Sequence, residues 1–137
     1  EHIKDGERVI ASMMGLLDAY DYDDLRDMAA YYAAQQMKVG QADKENLALG
    51  EKIYRAGNIN SGVPACTGCH GAKGKGIESA GYPMLGGQKA EYVVTSLIAY
   101  QNGNRGHDTK GKSMQGIAAR LTLEEIQAVA NYVSGLY

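Results

Sequence analysis

Apolar residues recur along this chain at helical rather than strand spacing. Between Asp21 and Met37, Leu25, Met28, Ala29 and Tyr32 fall on one helical face, and Asp21 stands where an N-cap is wanted. Val39-Gly40-Gln41-Ala42 ends that element and reads as a short linker. Asp43 is placed to cap a second helix reaching to about Gly57, with Leu47, Gly50, Ile53 and Tyr54 along one side. From Asn58 to Gly87 the chain is Gly-rich and aperiodic, too irregular for regular elements and too mixed for disorder. Periodicity returns over residues 88–102, where Val93, Leu97 and Tyr100 form an apolar stripe that Asn102-Gly103-Asn104-Arg105-Gly106 breaks. A short helix is expected over residues 112–120. The last helix carries the clearest signal. Thr122 and Glu125 form a capping box, and Ile126, Val129, Ala130 and Val133 follow at i, i+3, i+4 and i+7. No stretch of useful length alternates with the two-residue period of a strand, so the predicted fold class is all-α.

The chain also repeats itself in part. A shift of 101 residues lays Met13-Met14-Gly15-Leu16 on Met114-Gln115-Gly116-Ile117 and Asp23-Asp24-Leu25 on Glu124-Glu125-Ile126; Ala29 and Tyr31 fall on Ala130 and Tyr132. Matches of several residue types in one register point to a true repeat. It is lopsided, because the given chain holds no counterpart of the region around Cys66.

Composition narrows the classes. At 137 residues the chain suits one domain with room for an appendage. Its net charge of -2 gives no basic nucleic-acid footprint. No apolar run approaches the roughly 20 residues that span a bilayer. There are ten Tyr but no Phe or Trp, so Tyr serves as the large core aromatic with its hydroxyl at the boundary. Glu1-His2-Ile3-Lys4 is not a secretory signal, and any signal is expected to have been removed. Two Cys three positions apart rule out a disulfide framework.

That pair carries the chemistry. Cys66-Thr67-Gly68-Cys69-His70 is C-x-x-C-H, the attachment signature of c-type haem. One helical turn sets both thiols on one porphyrin edge, where they add across the vinyl groups, and aims the next imidazole at the iron. His70 is then the proximal ligand, and its other ring nitrogen needs an acceptor. A thioredoxin-like redox pair should follow a strand in a βαβ unit, and none is visible. A zinc site could be assembled on paper from Cys66, Cys69, His70 and His107, but adjacent Cys69 and His70 suit one tetrahedron poorly and no second CxxC is present. Candidates for a second axial ligand are Met13, Met14, Met28, Met37, Met84, Met114, His2 and His107. Methionine commonly fills core gaps. Met114 stands apart because it follows the polar stretch Lys110-Gly111-Lys112-Ser113 rather than lying on an apolar stripe.

From about Asp43 to Tyr137 the chain resembles a class I c-type cytochrome, and more closely the C-terminal haem domain of the cytochromes c4. The resemblance rests on Gly50-Glu51-Lys52-Ile53-Tyr54-Arg55-Ala56-Gly57-Asn58, Pro64-Ala65-Cys66-Thr67-Gly68-Cys69-His70-Gly71, Gly74-Lys75-Gly76 and Tyr82-Pro83-Met84-Leu85-Gly86-Gly87-Gln88. Tyr100-Gln101-Asn102-Gly103-Asn104-Arg105 and Met114 through Leu121 extend it. It implies the class I cytochrome c fold, helices packed around one covalently bound haem c, with an N-terminal helical appendage. It also implies Met114 as the distal ligand opposite His70, and the Pro83 carbonyl as acceptor from the His70 imidazole. Gly50 and Tyr54 then face Val129 and Tyr132 where the terminal helices cross, and Arg105 meets a haem propionate, as a guanidinium suits. Met84 occupies a variable position and packs at the haem edge or faces solvent. Residues 1–40 resemble the tail of the N-terminal haem domain of the same family, with Met13 at its axial position but without its C-x-x-C-H. The implied division is a remnant over 1–40 and a haem domain over 41–137. The chain is either a fragment of a dihaem protein or a single-haem relative.

The implied function is one-electron transfer rather than enzymatic turnover, in a respiratory chain of the periplasm. A quinol-oxidising complex or dehydrogenase would be the donor and a terminal oxidase or nitrogen-oxide reductase the acceptor, with residues 1–40 available as an interface. Two alternatives stand beside it: a cytochrome subunit of a periplasmic dehydrogenase such as a flavocytochrome, and a haem peroxidase or ligand sensor in which Met114 is off the iron.

Overall fold

A computed structural model of the chain describes residues 13–36 and 39–137. Six α-helices occur among them: α1 (Tyr22–Ala33), α2 (Leu47–Ala56), the single turn α3 (Thr67–His70), α4 (Ala90–Gln101), α5 (Thr109–Ala118) and α6 (Leu123–Ser134). A 3-10 turn spans Glu78–Ala80, and two isolated antiparallel bridges, Asn58 with Val63 and Ile77 with Tyr82, pin loops in the Gly-rich stretch. The architecture is all-α, as the periodicity predicts. None of the described helices is long and apolar enough to cross a membrane. Two compact units divide at Met37: Glu1–Met37 and Lys38–Tyr137.

The larger unit is organised by the crossing of α2 and α6. Gly50 permits that crossing, because a Cβ there would stand 2.1 Å from the Ala128 carbonyl oxygen. The Tyr54 and Tyr132 rings meet beside it with centroids 5.5 Å apart. Ile53, Tyr54, Ile126, Ala130 and Val133 are fully enclosed, and Val63, Val93, Leu121, Val129 and Leu136 close the core around them. Helix α4 packs on α6 and α5. The predicted capping box opens α6: the Thr122 hydroxyl accepts from the Glu125 amide at 3.2 Å, and the Glu125 carboxylate accepts from the Thr122 amide at 2.9 Å.

The start of α2 differs from expectation. Asp43 does not cap it; the helix begins after Asn46, whose backbone is left-handed at φ 55°. The reason is tertiary. The Asn131 side chain accepts from the Asp43 amide and donates to the Asp43 and Glu45 carbonyls, all within 2.9 Å, which fixes residues 43–45 as a turn. The Val39–Ala42 stretch is not a free linker, since it runs against the end of α6: a Cβ on Gly135 would stand 2.8 Å from the Ala42 amide nitrogen.

In the smaller unit α1 is capped as predicted, with the Asp21 carboxylate accepting from the Asp23 and Asp24 amides at 2.8 and 2.9 Å. It ends at Ala33, short of the expected Met37, which lies outside the described residues. The repeat register extends to element bounds. Shifted by 101, Tyr22–Ala33 falls on Leu123–Ser134, and the capping pair Asp21 and Asp24 falls on Thr122 and Glu125. Burial does not follow: α6 buries seven residues and α1 none.

Candidate functional site

Cys66 to His70 occupy one helical turn. The Cys69 and His70 amides donate to the Cys66 carbonyl at 3.2 and 2.9 Å, so the two sulfurs and the imidazole leave a single coil. The thiols are unbridged and half-buried, while His70 is buried. Burial pushes the Cys66 thiol up to about 11. The Tyr54 hydroxyl donates to the Gly71 carbonyl at 2.7 Å and so ties the end of this turn to α2. Burial pushes that hydroxyl up to about 12, and it stays a neutral donor.

The chain then returns across the imidazole. The Gly76 amide donates to the His70 carbonyl at 2.9 Å, and Ile77 and Tyr82 exchange backbone bonds at 2.9 and 3.0 Å around the 3-10 turn. This short hairpin sets the Tyr82 ring edge-on to His70, with centroids 6.3 Å apart, and places the Pro83 carbonyl 2.9 Å from His70 Nδ1. A carbonyl only accepts, so Nδ1 is the donor here and Nε2 is the ring nitrogen left to face a metal.

Met114 sits in the middle of α5, half-buried. This helix begins three residues earlier than predicted, because the Asp108 carboxylate caps it by accepting from the Gly111 amide at 2.7 Å. Met114 therefore rides a braced helix rather than an open loop. Gln115 donates to the Arg105 and Gly106 carbonyls at 2.8 and 3.1 Å, and Gln101 donates to the Ala118 and Leu121 carbonyls at 3.1 and 3.0 Å. The sequence reading missed these glutamines, as nothing in their local pattern marks them. Asp108 could have been found as an N-cap, but the helix-disfavouring Gly111 obscured it. Arg105 is half-buried, donates to the Ser96 hydroxyl at 2.7 Å, and lies 5.0 and 5.8 Å from the Tyr100 and Tyr92 ring centroids. Burial works against its charge, but hydrogen bonding and attraction to the two tyrosines outweigh that and raise its pKa.

Of the other candidates, Met84 is 44% exposed and His107 is exposed in the loop before α5. Met13, Met14 and Met28 belong to the smaller unit, and His2 and Met37 lie outside the described residues. Among the described residues no group of three or more His, Cys, Asp or Glu side chains is placed to hold a metal ion.

The residues present fit a flat, apolar, iron-bearing group. Helix α4 is apolar over most of its circumference, yet only Val93 of it is buried. Val94, Leu97 and Ile98, with Leu85, Ile117 and Cys66, stand half-buried against the core. Such a helix wants cover on a second side. An imidazole held at Nδ1 by a carbonyl and two unbridged thiols on one turn supply the donor set for haem c.

Comparison with known proteins agrees with this geometry. The family model for cytochrome c matches residues 47–136. Cytochrome c4 of Pseudomonas aeruginosa is 48% identical over 135 residues, covering 98% of this chain and 67% of that protein. The crystal structure of reduced recombinant cytochrome c4 from Pseudomonas stutzeri superposes with a TM-score of 0.90 at 42% identity, covering 95% of this chain and 68% of that one. The thiosulfate dehydrogenase electron acceptor of Thiomonas intermedia is 31% identical over 140 residues, covering 97% of this chain and 62% of that protein. The chain thus spans about two thirds of the length of these relatives.

Proposed function

This chain belongs to the cytochrome c family, and from that premise we propose that it is a one-electron carrier of the cytochrome c4 kind with one covalent haem c. In this reading Cys66 and Cys69 would hold the haem through thioethers, and His70 and Met114 would bind its iron. The observation that carries it is the 2.9 Å contact of His70 Nδ1 with the Pro83 carbonyl, on the same turn as the two thiols. When bound, haem supplies reversible exchange of one electron between ferric and ferrous iron. The chain's own residues do the rest. Pro83 fixes the imidazole tautomer and orientation, and the thioether of Met114 favours the ferrous state and fills the remaining position. Helix α5 and the apolar side chains of α4 keep water from the iron. Arg105, held by Tyr92, Tyr100 and Ser96, offers its guanidinium to a propionate. With His70 and Met114 both holding the iron, the bound group would offer no place for peroxide or oxygen, as a carrier requires.

Covalent attachment of haem c takes place outside the bacterial cytoplasm, so the periplasm is the proposed location. The donor is a quinol-oxidising complex or a dehydrogenase, and the acceptor a terminal oxidase or reductase of a respiratory chain. The likeness to the Thiomonas thiosulfate dehydrogenase electron acceptor favours a dehydrogenase as the donor. Residues 1–40 are read as the remnant of a second cytochrome domain and as an interface element.

The test is at Met114. The oxidised protein should be low spin with a weak sulfur-to-iron charge-transfer band. Met114→Ala should abolish the band, lower the reduction potential and let carbon monoxide bind the reduced iron readily. If His107→Ala does this and Met114→Ala does not, the ligand assignment is wrong.

A further inference from the structure

We propose that Lys110 is a positioning residue for the distal ligand, a tie that joins the Met114 helix to the hairpin carrying Pro83. The proposal rests on the reading that Met114 binds the iron. Lys110 lies in the first turn of α5, four residues before Met114, so the two side chains share one helix face. Its ammonium donates to the Ala80 carbonyl, thirty residues back in the 3-10 turn. The same nitrogen stands 5.7 Å from the centroid of the Tyr82 ring. Gly81, between those two residues, turns the chain there with a left-handed backbone at φ 69°. Tyr82 in turn abuts His70, and its neighbour Pro83 holds His70 Nδ1. Two contacts therefore lead from the ammonium to the proximal imidazole, and one helical turn leads from it to the distal thioether.

The direction of this contact sets it apart. Gln101 at the end of α4, with Asp108 and the Arg105 and Gly106 carbonyls in the segment that follows, braces α5 from the α4 side. Lys110 reaches instead to the proximal hairpin. Fixing an exposed lysine costs side-chain entropy, which a charge-assisted hydrogen bond together with a cation–π contact can offset. Losing the tie removes the link between α5 and the proximal hairpin, and the open form in which Met114 has left the iron becomes more populated. A foreign ligand binds ferrous iron at a rate set by that open fraction.

The experiment is carbon monoxide binding to the reduced holoprotein by stopped flow, in the parent, Lys110→Met, Lys110→Arg and Met114→Ala. Lys110→Met keeps the aliphatic stem but removes the donor and the charge. It should stay low spin with the charge-transfer band present, yet bind carbon monoxide about tenfold faster than the parent, as loss of one charged hydrogen bond implies. Lys110→Arg should restore the slow rate, and Met114→Ala should be the fastest of the four. A Lys110→Met rate equal to the parent's, with Met114→Ala fast, overturns the tie and leaves the ligand reading standing. Failure of arginine to restore the slow rate also overturns it, since packing alone would then explain the effect. If Met114→Ala binds no faster than the parent, the ligand reading fails and the tie with it.

Discussion

Glu125 serves two elements at once. Its carboxylate closes the α6 capping box on the Thr122 amide and accepts from Asn58 Nδ2 at 2.7 Å, which pins the Asn58–Val63 loop to the last helix. The Thr122 amide first, and then the Asn58 and Thr122 side chains, hold its pKa below the ordinary value of 4.5 against a smaller opposing effect of burial. A depressed folded-state pKa means that this carboxylate stabilises the fold fully above about pH 4.5. That contribution is lost as the pH falls through the depressed value. Glu125→Gln should therefore cost on the order of 1 kcal/mol at neutral pH. The two denaturation curves should converge in acid below the ordinary glutamate range, and a constant gap down to the lowest pH would refute the assignment. At this scale the candidate site was largely legible. Cys66, Cys69 and His70 announce themselves because their chemistry is local to one turn. Pro83 was reached only through the family resemblance, since its contact with His70 depends on a hairpin that nothing in the sequence pattern predicted. The cage of Tyr92, Ser96 and Tyr100 around Arg105 was not legible, because residues nine and thirteen positions away meet it only after α4 folds back.

Helix α6 and its crossing with α2 show what periodicity can and cannot supply. The cap and apolar stripe of α6 were readable because both are local. The start of α2 was misread because Asn131, 88 residues away, decides the backbone of Asp43. The start of α5 was misread because Gly111 argues against a helix locally, while the packing there demands glycine: a Cβ on it would stand 2.1 Å from Gly106 Cα. Gly50 is the same argument at the main crossing. Its would-be Cβ meets the Ala128 carbonyl and the Tyr132 Cβ, neither of which is the flexible end of a side chain. Gly50→Ala gains helix propensity but must push α2 off α6. The expected net loss is about 2–4 kcal/mol by chemical denaturation, with reduced haem retention on expression. A variant as stable as the parent would mean that the two helices slide apart at no cost.

At the scale of the whole molecule the chain divides into two compact units, and the match to the cytochrome c family lies within the second. Among the described residues every enclosed core side chain lies between Ile53 and Leu136, within the unit Lys38–Tyr137. The α1 helix matches α6 in bounds and cap yet buries nothing, and Tyr31 and Tyr32 remain 64% and 73% exposed. Removing residues 1–37 should leave the haem spectrum and its unfolding midpoint unchanged and reduce self-association, because exposed apolar side chains go with the segment. Loss of the spectrum would show that the larger unit does not stand alone. The central claim, one haem bound through both Cys66 and Cys69, is tested most directly by the intact mass of the purified holoprotein after denaturation in acid. The account predicts the polypeptide mass plus one haem, with Cys66→Ala and Cys69→Ala each weakening or abolishing that covalent adduct. A polypeptide mass without haem, or with more than one, would contradict it.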